Sequence, residues 1–299
     1  MTDARSPGPA FSPLLFKGGE GFPPLSATTR AEFAARSHRS ALHAVNQDHY
    51  LVTRLGRNQE TLLTSLPASA LAPRFDEYAY AMVVADGMGR SGEVASRVAV
   101  LALLELALRF GQWRVRVDEE IAQSIIERIT MFYGHIDATL LQINRGGAGS
   151  PLQTTLTAVV TGGRDLFFAH VGHSRAYLLR DDALIALTRD HTRRPDMAGP
   201  PLLDLENMAS DLHHILTGAL GAGAIDPAID VERLTLSDGD LLLLCTNGLT
   251  DVVSDEDITR ILVARPGVED KCAALVARAV ESGSDDDVTA VVARYHVSA

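Results

Sequence analysis

The sequence predicts an α+β protein in which antiparallel sheets are covered by helices. Three observations lead there. Short β-rich runs come in clusters instead of alternating strictly with helices. Two long segments repeat apolar residues every three or four positions. From Ser40 onward no break is long enough for a linker and no internal repeat appears, so one compact domain over 30–299 is expected.

The first segment stands apart. Five of the 13 prolines fall within the first 24 residues, among several glycines, so residues 1–29 are expected to form a Pro/Gly-rich tail. Val94, Val98, Leu101, Leu104 and Leu108 give one helical stripe, and Ile121, Ile125, Ile129, Phe132, Ile136 and Leu140 a second. Cys272, Leu275, Val276 and Ala279 suggest a helix near the C-terminus. Strands are expected at 80–85, 156–160, 166–171, 176–179, 184–187, 240–245 and 288–295, with a hairpin turn at Asp181-Asp182, since Asp tolerates tight-turn conformations.

Composition narrows the function. The 299 residues carry 27 Lys+Arg against 38 Asp+Glu, a net charge of −11, which repels phosphodiester backbones and argues against nucleic acid as a partner. At 46% hydrophobic and 22% charged the composition is that of an ordinary globular protein. The longest apolar run, 98–110, is interrupted by Glu105 and Arg109, and a bilayer span needs about 20 clean residues, so no membrane partner is expected. The N-terminus lacks the basic start and apolar core of a secretion signal. Cys245 and Cys272 read as reduced core thiols, which fits a cytoplasmic location.

Small acidic groups at strand ends carry the chemical signal. Val83-Val84-Ala85-Asp86-Gly87-Met88-Gly89 is an apolar strand ending in a carboxylate and glycines, a good place for a hard cation that wants oxygen ligands. Asn46-Gln47-Asp48 precedes the apolar Tyr50-Leu51-Val52, Thr246 to Asp251 follows the strand 241–245, and Ser284 to Thr289 opens the last strand. Each taken alone also reads as a loop turn or a helix cap.

In order and spacing these pieces resemble the metal-dependent protein phosphatases, the PPM or type 2C serine/threonine phosphatases, in their bacterial form. The other matching pieces are Gly92-Glu93, Ala95-Ser96, Thr154-Thr155-Leu156, His170 to Tyr177, Leu187 to Thr192, Leu220-Gly221 and Gly239-Asp240, spread from about residue 40 to 295. The resemblance implies a sandwich of two antiparallel sheets flanked by helix pairs, with a two-metal site at one end. It also implies hydrolysis of phosphoserine and phosphothreonine with Mg²⁺ or Mn²⁺, a phosphorylated protein as substrate and a serine/threonine kinase in the same pathway. Carried over by position, Asp86 resembles the carboxylate that bridges both ions, Gly87 offers a carbonyl ligand, and Asp286 is a terminal ligand. Asp48 resembles the residue that orients water at the second ion. The implied nucleophile is a water activated by the cations, without a covalent intermediate.

Three positions depart from the family pattern. Asn247 stands where a ligand carboxylate is usual, which keeps one oxygen but removes a charge. His173 replaces the aspartate of Val-Gly-Asp-Ser-Arg, so the family's third-ion site is expected to be lost; an imidazole there could instead bind a softer ion or donate a proton to the leaving group. His43 stands where many members carry a phosphate-binding Arg, a task for which Arg36 and Arg39 are the nearby candidates. Asp48, Asp86, Asp286, His43 and His173 are therefore the candidate catalytic residues, and Asp48, Asp86, Gly87, Asn247 and Asp286 the candidate metal ligands. The departures keep a second reading open, a pseudophosphatase that binds a phosphoprotein or partner through a degenerate metal site. A phosphatase for a small phosphorylated metabolite is a third. The Pro-interrupted stretch from Arg193 to about Ala219 resembles the family's flap and is expected to be a loop-rich element beside the site.

Overall fold

The structure is a computed structural model that describes residues 29–59, 62–65, 75–111, 117–147, 149–191, 218–223 and 229–297. The expected tail, apart from Thr29, and the flap, apart from Gly218 and Ala219, lie outside the described residues. In chain order the first half contains β1 (Thr29–His38), β2 (Asp48–Gln59), β3 (Phe75–Met88), α1 (Gly92–Phe110), α2 (Glu119–Gly146), β4 (Gln153–Thr154), β5 (Leu156–Gly162) and β6 (Asp165–Val171). The second half contains β7 (Arg175–Arg180), β8 (Ala183–Ala186), β9 (Asp230–Thr235), β10 (Leu241–Cys245), α3 (Asn247–Thr250), α4 (Asp255–Ala264), α5 (Val268–Glu281) and β11 (Val288–Val297).

Two antiparallel sheets form, one in the order β1-β11-β10-β7-β8 and the other β2-β3-β5-β6-β9, with β4 paired to the end of β3. Their facing sides make the central core from Met82, Val84, Val159, Leu166 and Phe168 against Leu242, Leu244, Val291, Ala293 and Tyr295. The outer side of the first sheet, including Leu243, Cys245 and Val292, packs on Leu249, Ile258, Leu262, Cys272 and Leu275 of α3, α4 and α5. The outer side of the second packs Val83, Ala85, Leu156 and Ala169 on α1 and α2 through Ala95, Ala99, Tyr133, Ile136 and Leu140. A strand covered on both faces can be apolar throughout, which is why 241–245 reads Leu-Leu-Leu-Leu-Cys. Burial pushes both cysteine thiols up to about 12, so Cys245 and Cys272 are inert core groups, as expected. The Asp181-Asp182 hairpin forms, both residues having positive φ, 51° and 61°. Among the described residues no helix is long and apolar enough to cross a membrane.

The sequence reading of α1 requires a correction. The stripe Val94-Val98-Leu101-Leu104-Leu108 faces the core only in part: Val94 and Val98 pack at its margin, Leu101 and Leu108 are exposed, and the fully buried face is Gly92, Ala95, Ser96, Ala99 and Val100. Small residues win because this helix lies close against β3, and hydrophobicity alone cannot report closeness of approach. Several elements escaped notice: β1, β9, α4, most of β2 and the short β4 and α3. The two sheet-edge strands β1 and β9 have one hydrogen-bonded neighbour each, so they tolerate the charged residues of Thr-Arg-Ala-Glu-Phe-Ala-Ala-Arg-Ser-His and Asp-Val-Glu-Arg-Leu-Thr. The start of α4 is capped by Ser254, whose side chain accepts from the Asp257 amide.

Enlarging the buried face of α1 tests its packing. Ala99→Leu should destabilise the chain by about 1–3 kcal/mol, whereas Leu101→Ala should change stability by no more than about 0.5 kcal/mol. Urea unfolding followed by circular dichroism reads both.

Candidate metal centre

Asp48 opens β2 and pairs in register with Asp86 near the end of β3. On the other sheet, the end of β10 and the start of β11 lie side by side, Cys245 opposite Ala290. These four strand termini meet at one end of the sandwich and bring Asp48, Asp86, Asn247, Asp286 and Asp287 together. One hydrogen bond joins the sheets there: Thr246 Oγ1 donates to Asp48 Oδ2 at 2.8 Å, while the Thr289 amide donates to Thr246 Oγ1 at 3.0 Å.

The backbone around Asp86 is fixed from both sides. Its amide donates to Thr155 Oγ1 (3.0 Å), and its carbonyl accepts from Thr154 Oγ1 (2.8 Å) and the Thr155 amide (2.9 Å). Glycine is required at 87 by close approach, since a Cβ there would stand 1.9 Å from the Gly92 carbonyl oxygen. Gly248 has the same role, a Cβ there falling 2.1 Å from the Asp287 carbonyl oxygen. A side chain at Gly92 would in turn crowd the Gly87 carbonyl oxygen, at 2.3 Å.

Electrostatically the cluster is incomplete. Asp48 is 6% exposed, and its Oδ1 is buried without a hydrogen-bond partner; Asn247 Oδ1 is in the same condition. Among the described residues no group donates a hydrogen bond to the Asp86 carboxylate. Burial, followed by the negative charges of Asp48, Asp286, Asp287 and Asp251, holds the Asp86 carboxyl well above the usual carboxylate range. Burial likewise raises Asp48, with Asp286 and Asp287 adding repulsion and the Thr289 and Thr246 hydrogen bonds opposing it. Buried carboxylates that repel one another, beside an orphaned amide oxygen, form an oxygen-rich donor set that lacks positive charge. That donor set fits a hard divalent cation.

Asp287 has a different task, which the sequence reading missed. Its Oδ1 accepts from the Ser40 amide at 2.7 Å, and its Oδ2 accepts from the Gln47 amide at 2.6 Å and faces His43 Nδ1 at 3.0 Å. Although His43 Nδ1 and oxygens of Asp286 and Asp287 all lie within 4.8 Å of one another, Asp287 is already occupied with pinning the 40–47 loop to β11. The run Asp285-Asp286-Asp287 was the only signal, and it does not tell which carboxylate faces which way.

The remaining candidates fall along one chain of contacts. His43 reaches Asp286 at 3.8 Å. Asn247 Nδ2 donates to Asp286 Oδ2 (3.3 Å) and Asp251 Oδ2 (3.2 Å). His173 lies one link further out, its Nε2 2.9 Å from Asp190 and 4.0 Å from Asp251, and Asp190 is also held by both Nε and Nη2 of Arg175. Arg36 and Arg39 are not turned toward the cluster: Arg36 pairs with Glu269, and Arg39 donates to the Ser40 and His43 carbonyls.

Residues 69–281 match the family described as Protein phosphatase 2C. The chain belongs to the protein phosphatase 2C family. Its relatives include the serine/threonine protein phosphatase PstP of Mycobacterium tuberculosis, 31% identical over 216 residues, a match covering 71% of this chain and 40% of that protein. The serine/threonine phosphatase stp of Listeria innocua is 29% identical over 224 residues, covering 71% of this chain and 82% of that one. The crystal structure of the M. tuberculosis PstP/Ppp phosphatase superposes with a TM-score of 0.64 at 26% identity, over 90% of this chain and 99% of that one. The PstP catalytic domain in complex with two manganese ions superposes with a TM-score of 0.61 at 27% identity, over the same shares. The fold expected of this phosphatase family, two antiparallel sheets with helices outside, is therefore the fold observed.

Because folding raises Asp48 and Asp86, the cation-free folded chain holds protons that the unfolded chain releases above about pH 4. Its stability from these groups consequently falls as pH rises from there toward neutrality. Mn²⁺ at about 100 times its Kd should add about 2.7 kcal/mol. The rise in melting temperature on adding Mn²⁺ should be larger at about pH 7.5 than at about pH 5, since fewer protons then compete; equal rises would contradict the assignment. Thr246→Val, which strips the buried Asp48 of its donor, should cost about 1–3 kcal/mol and weaken Mn²⁺ binding in a calorimetric titration.

Proposed function

We propose that the chain hydrolyses phosphoserine and phosphothreonine in protein substrates, using two divalent cations, Mg²⁺ or Mn²⁺. The observation that carries this reading is the buried, mutually repelling pair Asp48 and Asp86, facing Asp286 and the orphaned Asn247 oxygen at the junction of the two sheets. Asp86, Asp286, Asn247, the Gly87 carbonyl and Asp48 are the residues that would hold the cations. When bound, the cations supply charge neutralisation for a phosphate monoester dianion and a water of lowered pKa.

The chain's own residues do the rest. Thr246 holds Asp48 in one orientation, and Thr154 and Thr155 hold the backbone of Asp86, so little reorganisation is needed when substrate arrives. His43, 28% exposed and fixed through Nδ1, sits at the rim beside Asp286 and would face the phosphate or the departing alkoxide. His173 takes a positioning role. Its ring is held between Asp190 and Asp251, and with an imidazole in place of a carboxylate at 173 the chain would work without a third cation. The names of the relatives favour turnover over a purely binding role. A cytoplasmic setting and an opposing serine/threonine kinase complete the reading.

With an aryl phosphate and Mn²⁺, wild type should turn over, and Asp86→Asn should lose at least about 100-fold, since even outer-shell changes cost 10–100-fold. Absence of turnover at every cation concentration would select the binding role instead. Asn247→Asp should lower the Mn²⁺ Kd measured by calorimetry, because it restores a charged ligand.

A further inference from the structure

A site built from carboxylates must hold a phosphate dianion that those carboxylates repel, and a guanidinium is the side chain best shaped for it, with paired donors and a permanent charge. Four arginines around the centre are already committed. Arg36 pairs with Glu269, Arg39 with two carbonyls, Arg97 with Glu93 at 2.7 Å, and Arg175 with Asp190. His43 has one ring nitrogen engaged by Asp287.

Arg90 differs. It is exposed and has neither an ion pair nor a hydrogen bond among the described residues. It sits in the 3-10 turn Gly89–Ser91, directly after the strand end that carries Asp86 and Gly87. That turn is a closed, pinned loop: Gly87 and Gly92 touch at its base, and Gln47 Nε2 donates to the Gly89 carbonyl at 2.9 Å. The Gly87 amide in turn donates to the Gln47 carbonyl at 3.1 Å. Three Cα–Cα steps, at most about 11 Å, separate Arg90 from Gly87, and the closed turn, with Gly87 and Gly92 in contact at its base, shortens that span.

We infer that Arg90 is the phosphate-binding guanidinium of this chain, supplying from the turn after Asp86 the donor pair that position 43 lacks. This rests on the hydrolase reading and adds to it a residue that recognises the phosphoryl group of the substrate and of the inorganic phosphate product. Arg90 has no part in holding the cations, so its loss weakens anion binding and leaves Mn²⁺ affinity unchanged.

The test compares wild type, Arg90→Ala and Arg90→Lys, each loaded with Mn²⁺, by calorimetric titration with inorganic phosphate and by aryl phosphate kinetics. For Arg90→Ala the phosphate Kd and the KM should rise about tenfold or more, the loss of one charge-assisted contact. The kcat should stay within about twofold, and the melting temperature and Mn²⁺ Kd should match wild type. Arg90→Lys should recover part of the loss. An unchanged phosphate Kd in Arg90→Ala, or a fall in kcat with KM and phosphate Kd unchanged, overturns the assignment, as does failure of wild type to bind phosphate. A wild type that binds phosphate without turnover sinks the hydrolase reading alone, and the titration still decides Arg90.

Discussion

Negative charge packed where two sheets meet is the constraint around which this molecule is organised. Asp48 and Asp86 are buried, come from facing strands of one sheet, and lie against Asp286 and Asp287 from the other. Water is largely excluded, so the mutual repulsion is poorly screened and shows as raised pKa values for both buried groups. The fold tolerates this because Thr246, Thr154 and Thr155 clamp the strand ends with hydrogen bonds of 2.8–3.0 Å. A cation bound there would restore the stability set aside in this way, tying the integrity of the sandwich end to occupancy of the site.

The same economy of position explains the polar surroundings. Asp287 stands beside the candidate ligand Asp286 in the sequence, and its oxygens accept from the Ser40 and Gln47 amides and so anchor the loop that carries His43. From Asp286 the contacts pass through Asn247 and Asp251 to His173, Asp190 and Arg175, ending at the residues that precede the 192–217 segment. Neutral Asn247 and basic His173 thus stand together on one path. Neither adds negative charge to a path already lined by Asp286, Asp251 and Asp190.

Both long helices and most central strands are legible in the sequence because their burial imposes periodicity, and α2 buries Phe132, Ile136 and Leu140 as that periodicity predicts. The face of α1 was legible only in part: Val94 and Val98 pack on the core, but Ala95, Ser96 and Ala99 are buried for their smallness. The edge strands β1 and β9 were hidden for a related reason: one open side leaves them free to carry charge. At the site, the acidic side chains that come together were visible as strand-end carboxylates. Groups that act through partners were not, and Thr246 and Asp287 acquire their meaning only from residues about 200 or more positions away.

The amino-acid sequence by itself determined the α+β class, the reduced core cysteines and the ordered set of strand-end oxygens, because each is written in local pattern and composition. Tertiary structure decided which of those oxygens share a site, which arginines are already paired, and which acidic residue holds a loop instead of a cation. The physical reason is that local pattern constrains only the near neighbours of a residue. Charge repulsion, hydrogen-bond satisfaction and close approach are relations between distant segments, and they acquire values only when the two sheets stack.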